Sequence, residues 1–109
     1  MTKEEVCQLF MAGIDCSQVV TGACAEKMGM TKEQARKMSA CFGGGMMCGE
    51  TCGAVTGAVM VLDLLTPADP ADVVGSKKKA MAQAKELQKR FAERFDALRC
   101  AELLQKKFT

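Results

Sequence analysis

Apolar side chains recur every three or four residues along most of this chain, and polar capping residues punctuate them. Thr2 with Glu5 reads as a capping box, followed by Val6, Leu9 and Phe10 and stopped at Gly13. Asp15 with Gln18 opens a second helix, with Cys16, Val19, Val20, Ala23 and Met28 predicted on one face and Gly29 at its end. Thr31 with Gln34 opens a third, carrying Ala35, Met38 and Phe42 up to Gly43. A fourth, capped by Thr51, runs to about Leu65, and the segment 66–70 with both prolines forms the linker after it. Asp69 and Pro70 suit a new helix start, Gly75-Ser76 is expected to split it, and a long amphipathic run follows from Lys77. That run places Met81, Ala84, Leu87, Phe91 and Phe95 on one side and a Glu86–Arg90 pair on the other. Asp96 is read as the cap of a last short helix with Cys100, Ala101, Leu104 and Phe108. No strand alternation or hairpin dipeptide stands out. The pattern predicts an all-α, single-domain bundle over residues 1–109, with five or six short helices and a glycine-rich loop before the central one.

Composition narrows the function classes. Hydrophobic residues make up 49% and charged residues 26% of the 109, an ordinary globular balance. The net charge of +2 and the absence of Trp and Tyr leave no basic, stacking surface for nucleic acid. Lys77-Lys78-Lys79 reads as a solvated helix start. The N-terminus is charged where a secretory signal is apolar, and the run 54–62 is too short to span a bilayer, so a soluble, cytoplasmic protein is expected. Seven cysteines in that compartment point to redox, catalytic or metal chemistry before structural disulfides. With no histidine, zinc sites built on imidazole, Cys-His nucleophile pairs and haem attachment are excluded.

Chemistry concentrates between Cys41 and Gly57, seventeen residues that hold three of the seven cysteines and six of the ten glycines. Gly43, Gly44 and Gly45 break the chain, and Gly49, Gly53 and Gly57 recur at four-residue spacing. These glycines admit either close ligand approach or close helix packing. Cys52 is the leading candidate, because a sulfur at a helix N-terminus meets unpaired N–H groups that favour its thiolate. Cys48, four residues earlier, is a candidate resolving thiol. Cys16 and Cys100 each follow a predicted cap, so Cys16, Cys52 and Cys100 all fall near helix starts and are expected to converge. Cys7, Cys24 and Cys41 are assigned to the core or to contacts, as are most of the nine methionines.

Cys52-Gly53-Ala54-Val55-Thr56-Gly57 resembles the signature of the redox-active protein family named for its C…GCAxxG…C…C cysteine pattern. Asp15-Cys16-Ser17 resembles that family's first cysteine segment. Phe42 to Gly45, Gly49 to Cys52 and Met60 to Leu62 resemble its central block, and Phe91 to Leu104 its third segment. The resemblance implies redox-active cysteines. The family's pattern also has a fourth cysteine, which does not follow Cys100 here, so Cys48 or Cys41 would have to substitute. Haem-binding fusions in the family do not carry over to a chain without histidine.

Three functions are therefore expected in order. The first is a thiol-redox protein that pairs Cys52 with Cys16, Cys100 or Cys48 and exchanges electrons with a partner protein. The second is a metal or iron–sulfur module ligated by Cys16, Cys48, Cys52 and Cys100. The third is a helical dimerisation module with inert cysteines.

Overall fold

The computed structural model describes residues 1–105. It contains six α-helices among the described residues: α1 (Lys3–Met11), α2 (Cys16–Ala23), α3 (Lys32–Ser39), α4 (Gly53–Leu65), α5 (Val73–Phe95) and α6 (Cys100–Leu103). A 3-10 turn, Ala40–Phe42, extends α3, and no strand forms among these residues. The all-α expectation holds, and no helix is long and apolar enough to cross a membrane.

Caps explain several boundaries. The Thr31 hydroxyl accepts from the Gln34 N–H at 3.1 Å, while Gln34 accepts from the Thr31 N–H at 3.1 Å, completing a box. Asp15 and Gln18 form the same box on α2. Thr2 makes only its own half, accepting from the Glu5 N–H. Helix α2 ends at Ala23, well before Gly29, because residues 24–29 tighten into turns.

The centre of the fold is α2, packed on α3 on one side and on α4 on the other. Between α2 and α3 lies a knot of hydroxyls that the sequence pattern does not announce. Ser17, Thr21 and Ser39 have no solvent exposure. Ser17 donates to the Ser39 carbonyl at 2.8 Å, and Thr21 and Ser39 share a hydroxyl–hydroxyl bond of 2.8 Å. Each polar group thus has a partner inside the core, which removes the cost of burying it. A Thr21→Val variant keeps the shape, removes the Thr21 bonds to Ser17, Ala35 and Ser39, and leaves the Ser39 hydroxyl with the Ala35 carbonyl as its remaining partner. Urea unfolding should show it less stable by about 1–3 kcal/mol. The predicted face of α2 is shifted accordingly: Ala23 is exposed, while Ser17 and Thr21 are buried.

Between α2 and α4 there is almost no side chain. A Cβ on Gly53 would meet the Ser17 nitrogen at 2.9 Å and the Phe42 carbonyl oxygen at 3.0 Å. One on Gly57 would meet the Ser17 carbonyl oxygen at 3.0 Å. The glycine stripe is therefore a packing device, and it brings the starts of α2 and α4 into backbone contact.

The chain reaches α4 through a left-handed turn. Gly44, Gly45, Met46 and Met47 have φ of 58°, 60°, 61° and 60°. The Glu50 N–H closes the turn on the Gly45 carbonyl at 3.0 Å. Glycine adopts this conformation freely, whereas each methionine costs about 1–2 kcal/mol.

Helix α5 is continuous across Gly75-Ser76, contrary to the expected split. Asp72 caps it by accepting from the Gly75 N–H at 3.0 Å, and the Ser76 hydroxyl accepts from the Asp69 N–H at 2.8 Å. The Glu86–Arg90 pair forms at 2.8 Å. Asp96 is not an N-cap: it ends α5 in the left-handed region, with φ of 64°, and Arg99 precedes α6. Phe108, assigned to the last helix, lies outside the described residues.

Candidate functional site

Cys52 is the N-cap of α4, in place of the expected Thr51, which instead bridges to Arg99. Cys16 is the first residue of α2. Because Gly53 and Gly57 let the two helices touch, their first residues meet, and the Cys16 thiol donates a hydrogen bond to Cys52. That bond is the largest cause drawing the Cys52 thiol down from 9.0 to about 6. The Ala54 and Val55 amides at the start of α4 lower it further, against the opposing effect of burial.

Cys16 moves in the opposite direction. Its proton is held chiefly by the bond to Cys52, then by burial and by the negative charge on Cys52 and Cys100, so it ionises far above the ordinary thiol range. Two amides face the Cys52 sulfur and one faces that of Cys16, which is why the single charge rests on Cys52. The reduced pair shares one proton.

Cys100 joins the same neighbourhood. It is buried, with 8% exposure, at the first residue of α6. A two-bond backbone clip brings it there: the Cys52 N–H donates to the Leu98 carbonyl at 2.7 Å, and the Cys100 N–H to that of Glu50 at 2.6 Å. Arg99, between them, pairs with Glu50 at 3.5 Å and Glu102 at 3.4 Å, so its charge is spent on carboxylates. The field at the site comes from backbone amides.

The fourth candidate sits apart in its contacts. Cys48 is exposed and donates to the Gly45 carbonyl at 3.4 Å within its own turn, and it is not among the groups that act on Cys16 or Cys52. Among the described residues, no group of three or more Cys, Asp and Glu side chains is arranged to hold a metal ion. Gly43 lies against the Asp15 side chain and Gly45 against the Glu50 backbone, so both make room for the chain itself, as Gly53 does. Gly44 and Gly49 serve the turn through positive φ. Cys7 and Cys41 are exposed and Cys24 half-buried, so the core assignment fails for the first two: α1 buries no residue, and Cys41 lies on the outer side of the 3-10 turn.

The description "Putative redox-active protein (C_GCAxxG_C_C)" belongs to a family whose model matches residues 14–109, nearly the whole chain. The chain belongs to this family. The C_GCAxxG_C_C match covers α2 through α6 and so contains Cys16, Cys52 and Cys100. No curated protein and no solved structure gives a significant match.

Proposed function

We propose that this C_GCAxxG_C_C protein is a thiol–disulfide redox protein in which Cys52 attacks and Cys16 resolves. The observation that carries this reading is the backbone contact of Gly53 and Gly57 with Ser17, which sets the start of α2, with Cys16, against the start of α4, where Cys52 is drawn towards the thiolate.

The electrons balance in two steps. The Cys52 thiolate attacks a substrate disulfide, forms a mixed disulfide and expels one substrate thiolate. Cys52 is then neutral, so its bond and its charge no longer hold the Cys16 proton, and burial and Cys100 are what still oppose ionisation. Cys16 loses its proton to solvent and attacks the Cys52 sulfur. The second substrate thiolate leaves, and a Cys16–Cys52 disulfide remains. Two electrons have passed to the substrate, and an external dithiol restores the pair by the reverse exchange. Coupling thus orders the reaction: the resolving thiol gives up its proton more readily once the first bond has formed.

The test is oxidation with a small disulfide, followed by thiol counting and peptide mapping. Two of the seven thiols should be lost, recovered by a dithiol, and found as a Cys16–Cys52 cross-link. Retention of all seven, or a cross-link that omits Cys52, would overturn the assignment.

A further inference from the structure

The thiol pair lies in an acidic setting, although the chain as a whole carries a net charge of +2. Asp15 caps α2 immediately before Cys16. Glu50 precedes Cys52 by two residues on the clip, where the alternation of an extended stretch puts both on one side and Thr51 on the other. Glu102 stands in the first turn of α6, two residues after Cys100. The cation that the clip brings in is Arg99, opposite Thr51. Its guanidinium is drawn onto the two glutamates, at 3.5 Å from Glu50 and 3.4 Å from Glu102. Together Asp15, Glu50, Arg99 and Glu102 leave two net negative charges beside the sulfurs. The groove between α4 and α5, which Thr51 lines next to Cys52, adds no counter-charge, because none of its lining side chains is charged.

We propose that Glu50 and Glu102, by holding Arg99, restrict this site to disulfides borne on uncharged or basic groups and turn away those borne on carboxylates, such as glutathione disulfide. The proposal rests on the thiol–disulfide reading above and names its substrate class. Attack brings a substrate sulfur to bonding distance of Cys52, so any charge close to that sulfur enters the field of these side chains. A carboxylate there meets an excess of its own sign and a guanidinium already engaged, whereas an ammonium group is attracted. To receive an anionic substrate, Arg99 would have to leave both of its partners. Glu50 and Glu102 thus act on selection alone, and the exchange steps are unchanged.

The test compares three small disulfides at neutral pH: dicationic cystamine, neutral hydroxyethyl disulfide and dianionic dithiodiglycolate. Each rate of Cys52 oxidation is divided by the rate of the same disulfide with free mercaptoethanol, which removes differences between leaving groups. In low salt the normalised rate should fall at least tenfold from cystamine to dithiodiglycolate, with hydroxyethyl disulfide between them. In about 1 M salt, where screening acts within about 3 Å, the spread should close to less than about threefold. The Glu50→Gln, Glu102→Gln double variant leaves Asp15 and Arg99 in balance and should close the spread in low salt as well. Arg99→Gln should widen it by about threefold. All three side chains are about half exposed, so the fold, checked by circular dichroism, should persist. Equal normalised rates in the parent would overturn the proposal, and so would a spread that neither variant moves. Failure of all three disulfides to oxidise Cys52 would overturn the redox reading itself.

Discussion

Alkylation of the reduced protein across a pH series will set Cys52 apart, its rate reaching half of its plateau near pH 6. At pH 7 a thiol ionising at about 6 is roughly nine-tenths thiolate, against about 1% for one at 9.0. The weaker basicity of the anion takes back roughly 20-fold of that gain. The net advantage of Cys52 is then only about fourfold at pH 7, growing to about 20-fold at pH 6. The sign is diagnostic: lowering the pH should raise the selectivity for Cys52, although every rate falls. Peptide-resolved mass spectrometry reads each site separately. Cys16→Ala removes the donor that does most of the lowering and should move the midpoint up towards 9.0. Cys16→Ser keeps a hydroxyl donor and should move it less. An unchanged midpoint in Cys16→Ala would assign the acidity to the α4 amides alone.

The second large effect is expected from one methyl group. Gly53→Ala would drive a Cβ into the Ser17 nitrogen and the Phe42 carbonyl oxygen, both backbone atoms of packed elements that cannot swing aside. Overpacking of this kind costs about 1–3 kcal/mol. Calorimetry should record a fall in Tm of about 5–20 °C for a chain of this size. The variant should also lose chemistry, because separating α2 from α4 stretches the bond from Cys16 to Cys52. Its alkylation midpoint should rise in parallel with its loss of stability. Gly22→Ala is the comparison. There the nearest atom is the Arg36 Nε at 3.0 Å, part of a side chain that can shift by a few tenths of an ångström where a backbone atom cannot. Alanine also favours the helix by about 1 kcal/mol over glycine, so Gly22→Ala should be close to neutral.

Helix grammar made much of this site readable in advance. Cap residues, which act locally, placed Cys16 and Cys52 at helix starts, and glycines at four-residue spacing marked where a helix could come close. What stayed hidden depended on partners distant in sequence. Ser17, Thr21 and Ser39 look like solvated hydroxyls until α3 folds back to satisfy them. Asp96 has the composition of an N-cap, yet it sits in the left-handed region at the end of α5, a conformation that aspartate tolerates better than most residues. The placement of Cys48 was hidden for a similar reason. Four-residue spacing implies a shared face only on a right-handed helix, and between Cys48 and Cys52 the chain leaves it at Gly49, with φ of 78°, and at the extended Glu50.

The backbone contact between α2 and α4 has a kinetic consequence. Sulfurs carried on flexible loops must search for one another before they can bond, and that search slows closure. Here α2 is held against α4 by main-chain atoms at Gly53 and Gly57 and against α3 by the interior hydroxyls. For the proposed Cys16–Cys52 exchange, the helix starts that carry the two sulfurs are thus already fixed against one another, and closure asks little of the backbone. Such a scaffold can cycle many times without passing through a partly unfolded form that would expose its few apolar interior groups.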